Sequence, residues 1–146
     1  MARALDEAFA LAALGPGHGP NPRVGCVLLD SRGTIGRGTH RGAGHPHAEV
    51  EALHDAARQG HAVRGATAVV TLEPCAHTGR TGPCAAALAE AGVARVVFAA
   101  SDPNPQAAGG AKYLRARGID VMPDADPSRA RDLNLAWWHA ITTGRP

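Results

Sequence analysis

Lysine is nearly absent from this sequence: Lys112 is the single lysine, and arginine carries the remaining positive charge. The 146 residues contain 15 Lys and Arg against 13 Asp and Glu, so the formal net charge at pH 7 is only +2. A nucleic-acid-binding protein normally clusters Lys and Arg on one face or along one helix. The sequence therefore gives no reason to expect a nucleic-acid partner.

Long apolar runs are also missing, and none approaches the roughly 20 residues that a helix needs to cross a bilayer. Residues 1–14 contain Asp6 and Glu7 and lack the charged-then-apolar order of a secretory signal peptide. Cysteine is scarce, with three residues in the chain. Thiols in a chain without a leader indicate a reducing compartment and metal binding rather than disulfides. We therefore expect a cytoplasmic protein with no membrane contact.

The length fits one domain, residues 1–146, because 146 residues can bury a real core but are too few for two ordinary domains. Apolar periodicity and Gly or Pro breaks predict helices over 2–14, 47–59, 84–91, 110–117 and 128–142. The same patterns predict strands over 23–30, 34–39, 67–72, 93–100 and 119–122. Helix 47–59 is expected to bury Val50, Leu53 and Ala57.

The order of these elements predicts an α/β fold with three layers, α-β-α. The first two strands form an antiparallel hairpin, and the strands after residue 60 alternate with helices, which favours parallel crossovers. The result is a mixed sheet of about five strands with helices on both faces.

Three side chains that bind zinc each follow a proline directly: His47, Cys75 and Cys84. Zn²⁺ prefers tetrahedral nitrogen and sulfur ligands, and a catalytic site keeps three protein ligands and leaves the fourth position to water. Water bound there has a pKa of about 7. The pattern predicts a catalytic zinc site. Two alternatives stay open: buried thiols, and a structural zinc site with His77 or Cys26 as a fourth ligand.

Glu49 follows His47 by two residues, a spacing that puts the two side chains on nearly opposite sides of a helix. They can share a pocket only at the first turn, where both can reach over the open end. Pro46 favours a helix start at this point. We therefore expect Glu49 to be the proton carrier beside the metal, and Pro83 makes the same helix-start argument for Cys84, where the helix end favours the thiolate.

Two loops follow neighbouring buried strands, one carrying Cys75 and the other carrying Asp102. Ligands of open α/β sheets bind outside the carboxyl ends of the strands. The metal loop and the loop 102–105 should therefore border one pocket.

The combination of His47-Ala48-Glu49 with Pro74-Cys75 and Cys84 resembles the zinc-dependent cytidine deaminase superfamily. Its common members place two residues between the cysteines, whereas this chain has the eight residues 76–83 between them. The longer run, E-P-C-x-H-x-G-R-T-x-P-C, is similar to one branch, the pyrimidine deaminases of riboflavin biosynthesis. Residues 20–25, 43–49 and 102–105 match that branch as well.

The resemblance implies zinc-dependent hydrolytic deamination of 2,5-diamino-6-(5-phosphoribosylamino)pyrimidin-4(3H)-one. Water replaces the 2-amino group of the ring, ammonia leaves, and Glu49 moves the protons. Arg80 matches a basic position in the long loop, where a guanidinium could bind the substrate phosphate by two parallel N–H contacts. The positions that match the substrate pocket of the family are Asn21, His40, Asp102 and Asn104.

Each of these residues has a plainer interpretation. Asn21 and Asn104 precede prolines and suit turns, Asp102 suits a cap of its own loop, and Arg80 and His40 suit the surface. The function also has alternatives: a deaminase of another nucleobase or nucleotide, and a non-catalytic zinc-containing module.

The family usually continues into a reductase after a Thr-Gly-x-Pro stretch, which is present here as residues 143–146. The chain is therefore either a free-standing deaminase or a piece of a bifunctional enzyme. A free-standing deaminase would need a separate reductase for the next step. Because relatives are commonly oligomeric, we also expect a homo-oligomer.

Overall fold

The computed structural model describes residues 2–17, 20–76, 84–105 and 107–144. The helices are α1 (Ala2–Ala12), α2 (Ala48–Arg58), α3 (Cys84–Ala91), α4 (Gly110–Ala116), α5 (Pro127–Leu133) and α6 (Leu135–Thr143). The strands are β1 (Gly25–Asp30), β2 (Gly33–Thr39), β3 (Thr67–Val70), β4 (Arg95–Phe98) and β5 (Asp120–Met122). Apart from the last predicted helix, the ends of these elements differ from the predicted ends by at most two residues.

The five strands form one sheet in the order β2-β1-β3-β4-β5. β1 pairs antiparallel with β2 and with β3, and β3, β4 and β5 run parallel. The predicted mixed sheet is confirmed. Its three central strands, β1, β3 and β4, are apolar on both faces because helices cover both sides.

Side chains of successive strand residues point to opposite faces of the sheet, and each face has its own helices. On one face, Cys26, Leu28 and Phe98 pack with residues of α2, α3 and α4. On the other face, Val27, Val69 and Val97 pack with α1. A third cluster joins α1 to α5 and α6 through Phe9, Ala130 and the two tryptophans. The three-layer α-β-α architecture is therefore confirmed.

The expected core face of α2 was wrong in part. Val50 and Leu53 are only half-buried and Ala57 is exposed, while the fully buried residues are Ala48, Ala52 and Ala56. The reason lies in two glycines of β2, since a Cβ at Gly36 or Gly38 would overlap the backbone of α2. Helix and strand approach so closely that only small side chains fit between them, a constraint that apolar periodicity does not reveal.

The predicted helix 128–142 is two helices, α5 and α6, which meet at Asn134. Asn134 has φ −124° and ψ 40°, which is outside the helical region. Its side-chain oxygen accepts a hydrogen bond from the Arg23 amide N–H at 2.7 Å, and its side-chain nitrogen donates one to the Arg23 carbonyl oxygen at 3.0 Å. The break therefore serves a contact with a residue far away in the sequence.

Within the part of the chain that the structure describes, no helix combines the length and the apolar character needed to cross a membrane.

Candidate active site

A cavity of about 200 Å³ opens where β3 and β4 end and α2 begins. It brings together both loops that were expected to border one pocket, with Cys75 from the first and Asp102 and Asn104 from the second. Four more of the predicted site residues line this cavity: Asn21, His40, His47 and Glu49. Arg80 and His77 lie outside the described residues.

The three predicted metal ligands form one cluster, and their ligand atoms all lie within 4.8 Å of one another. Nδ1 of His47 is 3.0 Å from Sγ of Cys84 and 3.8 Å from Sγ of Cys75. Tetrahedral zinc with bonds of about 2.1 Å to nitrogen and 2.3 Å to sulfur would separate these atoms by about 3.6 Å. The cluster therefore has the dimensions of a zinc site. The third cysteine, Cys26, is buried in the sheet core instead.

The start of α2 explains how His47 and Glu49 reach the same cavity. His47 is the N-cap, with extended φ −68° and ψ 162°, so its ring projects from outside the helix. Glu49 lies in the first turn and is 4% exposed. The expectation that both side chains meet at the open helix end is confirmed, although Pro46 precedes the N-cap and is not the first helical residue.

The start of α3 holds Cys75 in place. The Cys84 amide N–H donates to Sγ of Cys75 at 3.3 Å, and the Ala85 amide N–H donates to the Cys75 carbonyl oxygen at 3.0 Å. A hydrogen bond from the Cys84 thiol, helped by contacts with His47 and the Cys84 amide, lowers the pKa of Cys75 to about 4. The same thiol contact and burial raise the pKa of Cys84. A dication bound to both sulfur atoms would favour the thiolate form of each.

Glu49 has an unusual pKa for a carboxyl group. Burial raises the pKa to about 7, and a negative charge on Cys75 adds to the rise. A carboxyl group with a pKa near neutral pH can take up and release a proton under working conditions.

His40 is buried, with 3% exposure, so its interpretation as a surface residue was wrong. Its Nδ1 lies 3.1 Å from the Pro46 carbonyl oxygen, which can only accept, so Nδ1 carries the proton of the neutral ring. Nε2 is then an acceptor that is buried and has no partner among the described residues. Burial lowers the pKa of His40, which keeps the ring neutral.

Glu73 is a site residue that the sequence analysis did not single out. It is 8% exposed and lines the cavity, and its two carboxylate oxygens accept hydrogen bonds from the Asp102 and Ala111 amides, each at 3.0 Å. Asp102 in turn accepts from the Asn104 amide at 2.8 Å, so the interpretation of Asp102 as a cap of its own loop is confirmed. Glu73 thus connects the metal loop to the loop 102–105.

Trp137 was missed as well. It comes from α6 and lines the cavity together with Ile141. No local pattern could place it there, because the position of α6 depends on the contact between Asn134 and Arg23.

Residues 2–100 match the family profile of the cytidine and deoxycytidylate deaminase zinc-binding region. The chain belongs to this deaminase family. The matching region is a zinc-binding region. Among the described residues, the cluster that can hold a zinc ion is formed by His47, Cys75 and Cys84.

Several relatives of this deaminase are known. The riboflavin biosynthesis protein RibD of Escherichia coli is 52% identical over 128 residues, which are 87% of this chain and 34% of the relative. A diaminohydroxyphosphoribosylamino-pyrimidine deaminase of Buchnera aphidicola is 38% identical over 144 residues, covering 97% of this chain and 96% of the relative. The chain spans only 34% to 38% of the length of three RibD relatives that it matches.

Solved structures agree with the fold. A diaminohydroxyphosphoribosylaminopyrimidine deaminase/5-amino-6-(5-phosphoribosylamino)uracil reductase from Thermotoga maritima superimposes with a TM-score of 0.94 at 37% identity. The match covers 99% of this deaminase and 42% of that chain. RibD of Acinetobacter baumannii has a TM-score of 0.89 at 48% identity, over 99% of this chain and 40% of the other.

Proposed function

We propose that this chain catalyses the zinc-dependent hydrolytic deamination of 2,5-diamino-6-(5-phosphoribosylamino)pyrimidin-4(3H)-one, with release of ammonia, as a step of riboflavin biosynthesis. The observation that carries the proposal is a three-ligand cluster, two members of which, His47 and Cys75, line one cavity together with the buried carboxyl group of Glu49. The choice of substrate is supported by a relative that is named a diaminohydroxyphosphoribosylamino-pyrimidine deaminase, because the match covers 96% of that relative's length.

His47, Cys75 and Cys84 would hold the metal, and the metal would supply the Lewis acid that makes the attacking water acidic enough to lose a proton at neutral pH. Glu49 is assigned to proton transfer. Its buried carboxylate would take the two protons of the attacking water in turn, and deliver one to the ring nitrogen and the other to the departing amino group, which leaves as ammonia. Burial keeps bulk water away from this transfer, so the proton goes to the substrate.

The remaining residues are assigned to substrate binding. Nε2 of His40 is an acceptor fixed by the bond of Nδ1 to Pro46, and it suits an N–H group of the substrate. Asn21, Asp102 and Asn104 line the same cavity and suit the polar edges of the ring and ribose. Arg80 stays a prediction for the phosphate.

We extend the proposal to the setting of the enzyme. Residues 1–146 act as one domain in the cytoplasm, as a homo-oligomer, without nucleic acid. The product, 5-amino-6-(5-phosphoribosylamino)uracil, is the compound named in the reductase activity of the Thermotoga maritima relative. A reductase, separate if this chain is free-standing, would therefore consume it.

Ammonia release from the zinc-loaded protein tests the proposal. Glu49→Gln should lower kcat by roughly 10²-fold to 10⁴-fold, the usual contribution of general acid–base catalysis. Glu51→Gln is the matched control, since Glu51 lies in the same first turn of α2 but is not part of the cavity lining. Equal rates for the wild type and Glu49→Gln would contradict the assignment.

The description of the matching family region favours one second candidate, a deaminase of cytidine or deoxycytidylate. A substrate panel separates the two candidate functions. It contains cytidine, deoxycytidine and the diaminopyrimidinone riboside, each with and without the 5'-phosphate. The proposed function predicts turnover of the phosphorylated diaminopyrimidinone far above that of the cytosine compounds.

A further inference from the structure

A second cavity, of about 450 Å³, lies beside the active-site cavity, between residues 16, 17, 20, 21 and 23 on one side and α6 on the other. Four residues line both cavities: Pro20, Asn21, Trp137 and Ile141. The two cavities are therefore neighbours, and these four residues lie between them.

The active-site cavity is too small for the whole proposed substrate. Small-molecule sites usually measure about 300–1,000 Å³, whereas this cavity measures about 200 Å³. It suits a single pyrimidine ring next to the metal ligands. The ribosyl phosphate needs further space, which the second cavity supplies.

The charged side chains that line the two cavities also differ. The active-site cavity has three carboxylates, from Glu49, Glu73 and Asp102, and no Arg or Lys in its described lining. The described lining of this cavity therefore offers no cationic side chain to a phosphate group. In the described lining of the second cavity, Arg23 is the only charged side chain. A guanidinium is the side chain best suited to bind phosphate with two parallel hydrogen bonds.

The side chain of Arg23 makes no hydrogen bond or ion pair to any of the described residues. Its Nε is buried and makes no hydrogen bond to any described residue, and none of the described ion pairs includes it. The backbone of Arg23 is fixed at both its N–H and its carbonyl oxygen by Asn134. A side chain at Gly17 would overlap Nη2 of Arg23, so this glycine leaves room for the guanidinium.

We propose that Arg23 binds the phosphate of the substrate, and that the ribosyl chain runs from the active-site cavity into the second cavity. The identity of the substrate rests on the proposed function, but the phosphate site does not. Arg80 belongs to the long loop between the cysteines, so its predicted role is tested separately with Arg80→Ala.

Kinetics with paired substrates give the first test. Arg23→Gln keeps the backbone contacts with Asn134, so it should fold and retain zinc. We expect KM for the phosphorylated diaminopyrimidinone to rise roughly 10-fold to 100-fold, the range for a lost hydrogen bond to a charged group, while the rate with the phosphate-free riboside is unchanged. Arg32→Gln, on the exposed tip of the β1–β2 hairpin, is the matched control. Equal losses with both substrates would overturn the proposal.

A binding measurement separates this proposal from the proposed function. The chain has two tryptophans, and Trp137 lines both cavities, so tryptophan fluorescence can report a titration with ribose 5-phosphate. Kd should be roughly 10-fold or more higher for Arg23→Gln than for the wild type, with no binding of ribose. That result supports the phosphate site even if the diaminopyrimidinone is not turned over. No saturable binding to the wild type, or equal Kd values, would overturn it.

Discussion

The metal side and the substrate side of the active site are built in different ways. His47, Glu49, Cys75 and Cys84 are held by the first residues of two helices and by hydrogen bonds between near neighbours in space, such as the Cys84 amide to Cys75. The substrate side combines short segments from distant parts of the chain, with Asn21 near one end and Trp137 near the other. The metal side can therefore be recognised from spacing, whereas the substrate side depends on long-range contacts.

The largest expected effect tests the metal side. Cys75→Ser should remove most of the zinc and reduce ammonia release to background, because a hydroxyl is a far poorer zinc ligand than a thiolate. Zinc content of the purified protein, measured by elemental analysis, is the readout. Cys26→Ala is the control, since Cys26 belongs to the hydrophobic core and not to the cluster. If Cys75→Ser keeps one zinc per chain, the ligand assignment is wrong.

The next effect concerns the connection between the two sides. Glu73→Ala removes the acceptor of two partly buried amide hydrogen bonds, so we expect a loss of about 1–3 kcal/mol in the free energy of unfolding. KM should rise as well, because the loop with Asp102 and Asn104 loses its support. Urea unfolding and steady-state kinetics measure both quantities. Glu90→Gln, at an exposed position of α3, should change neither.

A smaller effect is expected on the substrate side alone. Asn134→Ala removes both side-chain hydrogen bonds to the Arg23 backbone and should raise KM with little change in zinc content. Asp132→Ala is the nearby control, because Asp132 is exposed and lines neither cavity. A loss of zinc in Asn134→Ala would show that the two sides are not independent and would contradict the comparison.

The smallest effect is a pH dependence that comes from His40. Burial lowers the pKa of His40 in the folded protein, so the unfolded chain binds the proton more tightly. The contribution of His40 to stability is then complete above its unfolded pKa of about 6.5 and is lost as pH falls below that value. The free energy of unfolding, measured in urea, should change less between pH 8 and pH 5.5 for His40→Gln than for the wild type. An equal change in the two proteins would show that His40 is not the source of the pH dependence.

Much of this molecule could be predicted from local patterns. The sheet was predicted because Val27, Val69 and Val97 belong to apolar runs bounded by turn residues, and the metal cluster because His47 and both cysteines follow prolines at helix starts or strand ends. These features depend on residues a few positions apart, where periodicity and helix geometry decide the structure.

The rest depends on contacts that no local pattern contains. The small-residue face of α2 follows from the close approach of Gly36 and Gly38, and the break at Asn134 follows from its bonds to Arg23. Trp137 reaches the cavity only because of that break. Glu73 was visible as part of the motif before Cys75, but its partners, Asp102 and Ala111, are brought to it only by the parallel pairing of β3 and β4.

Zinc-edge anomalous diffraction from crystals of the zinc-loaded protein tests the central claim most directly. We expect one strong anomalous peak per chain, within bonding distance of Nδ1 of His47 and Sγ of Cys75 and Cys84, with the Glu49 carboxyl group beside it. A zinc peak held by other residues, or bound to these three with Glu49 turned away from the metal, would contradict the account.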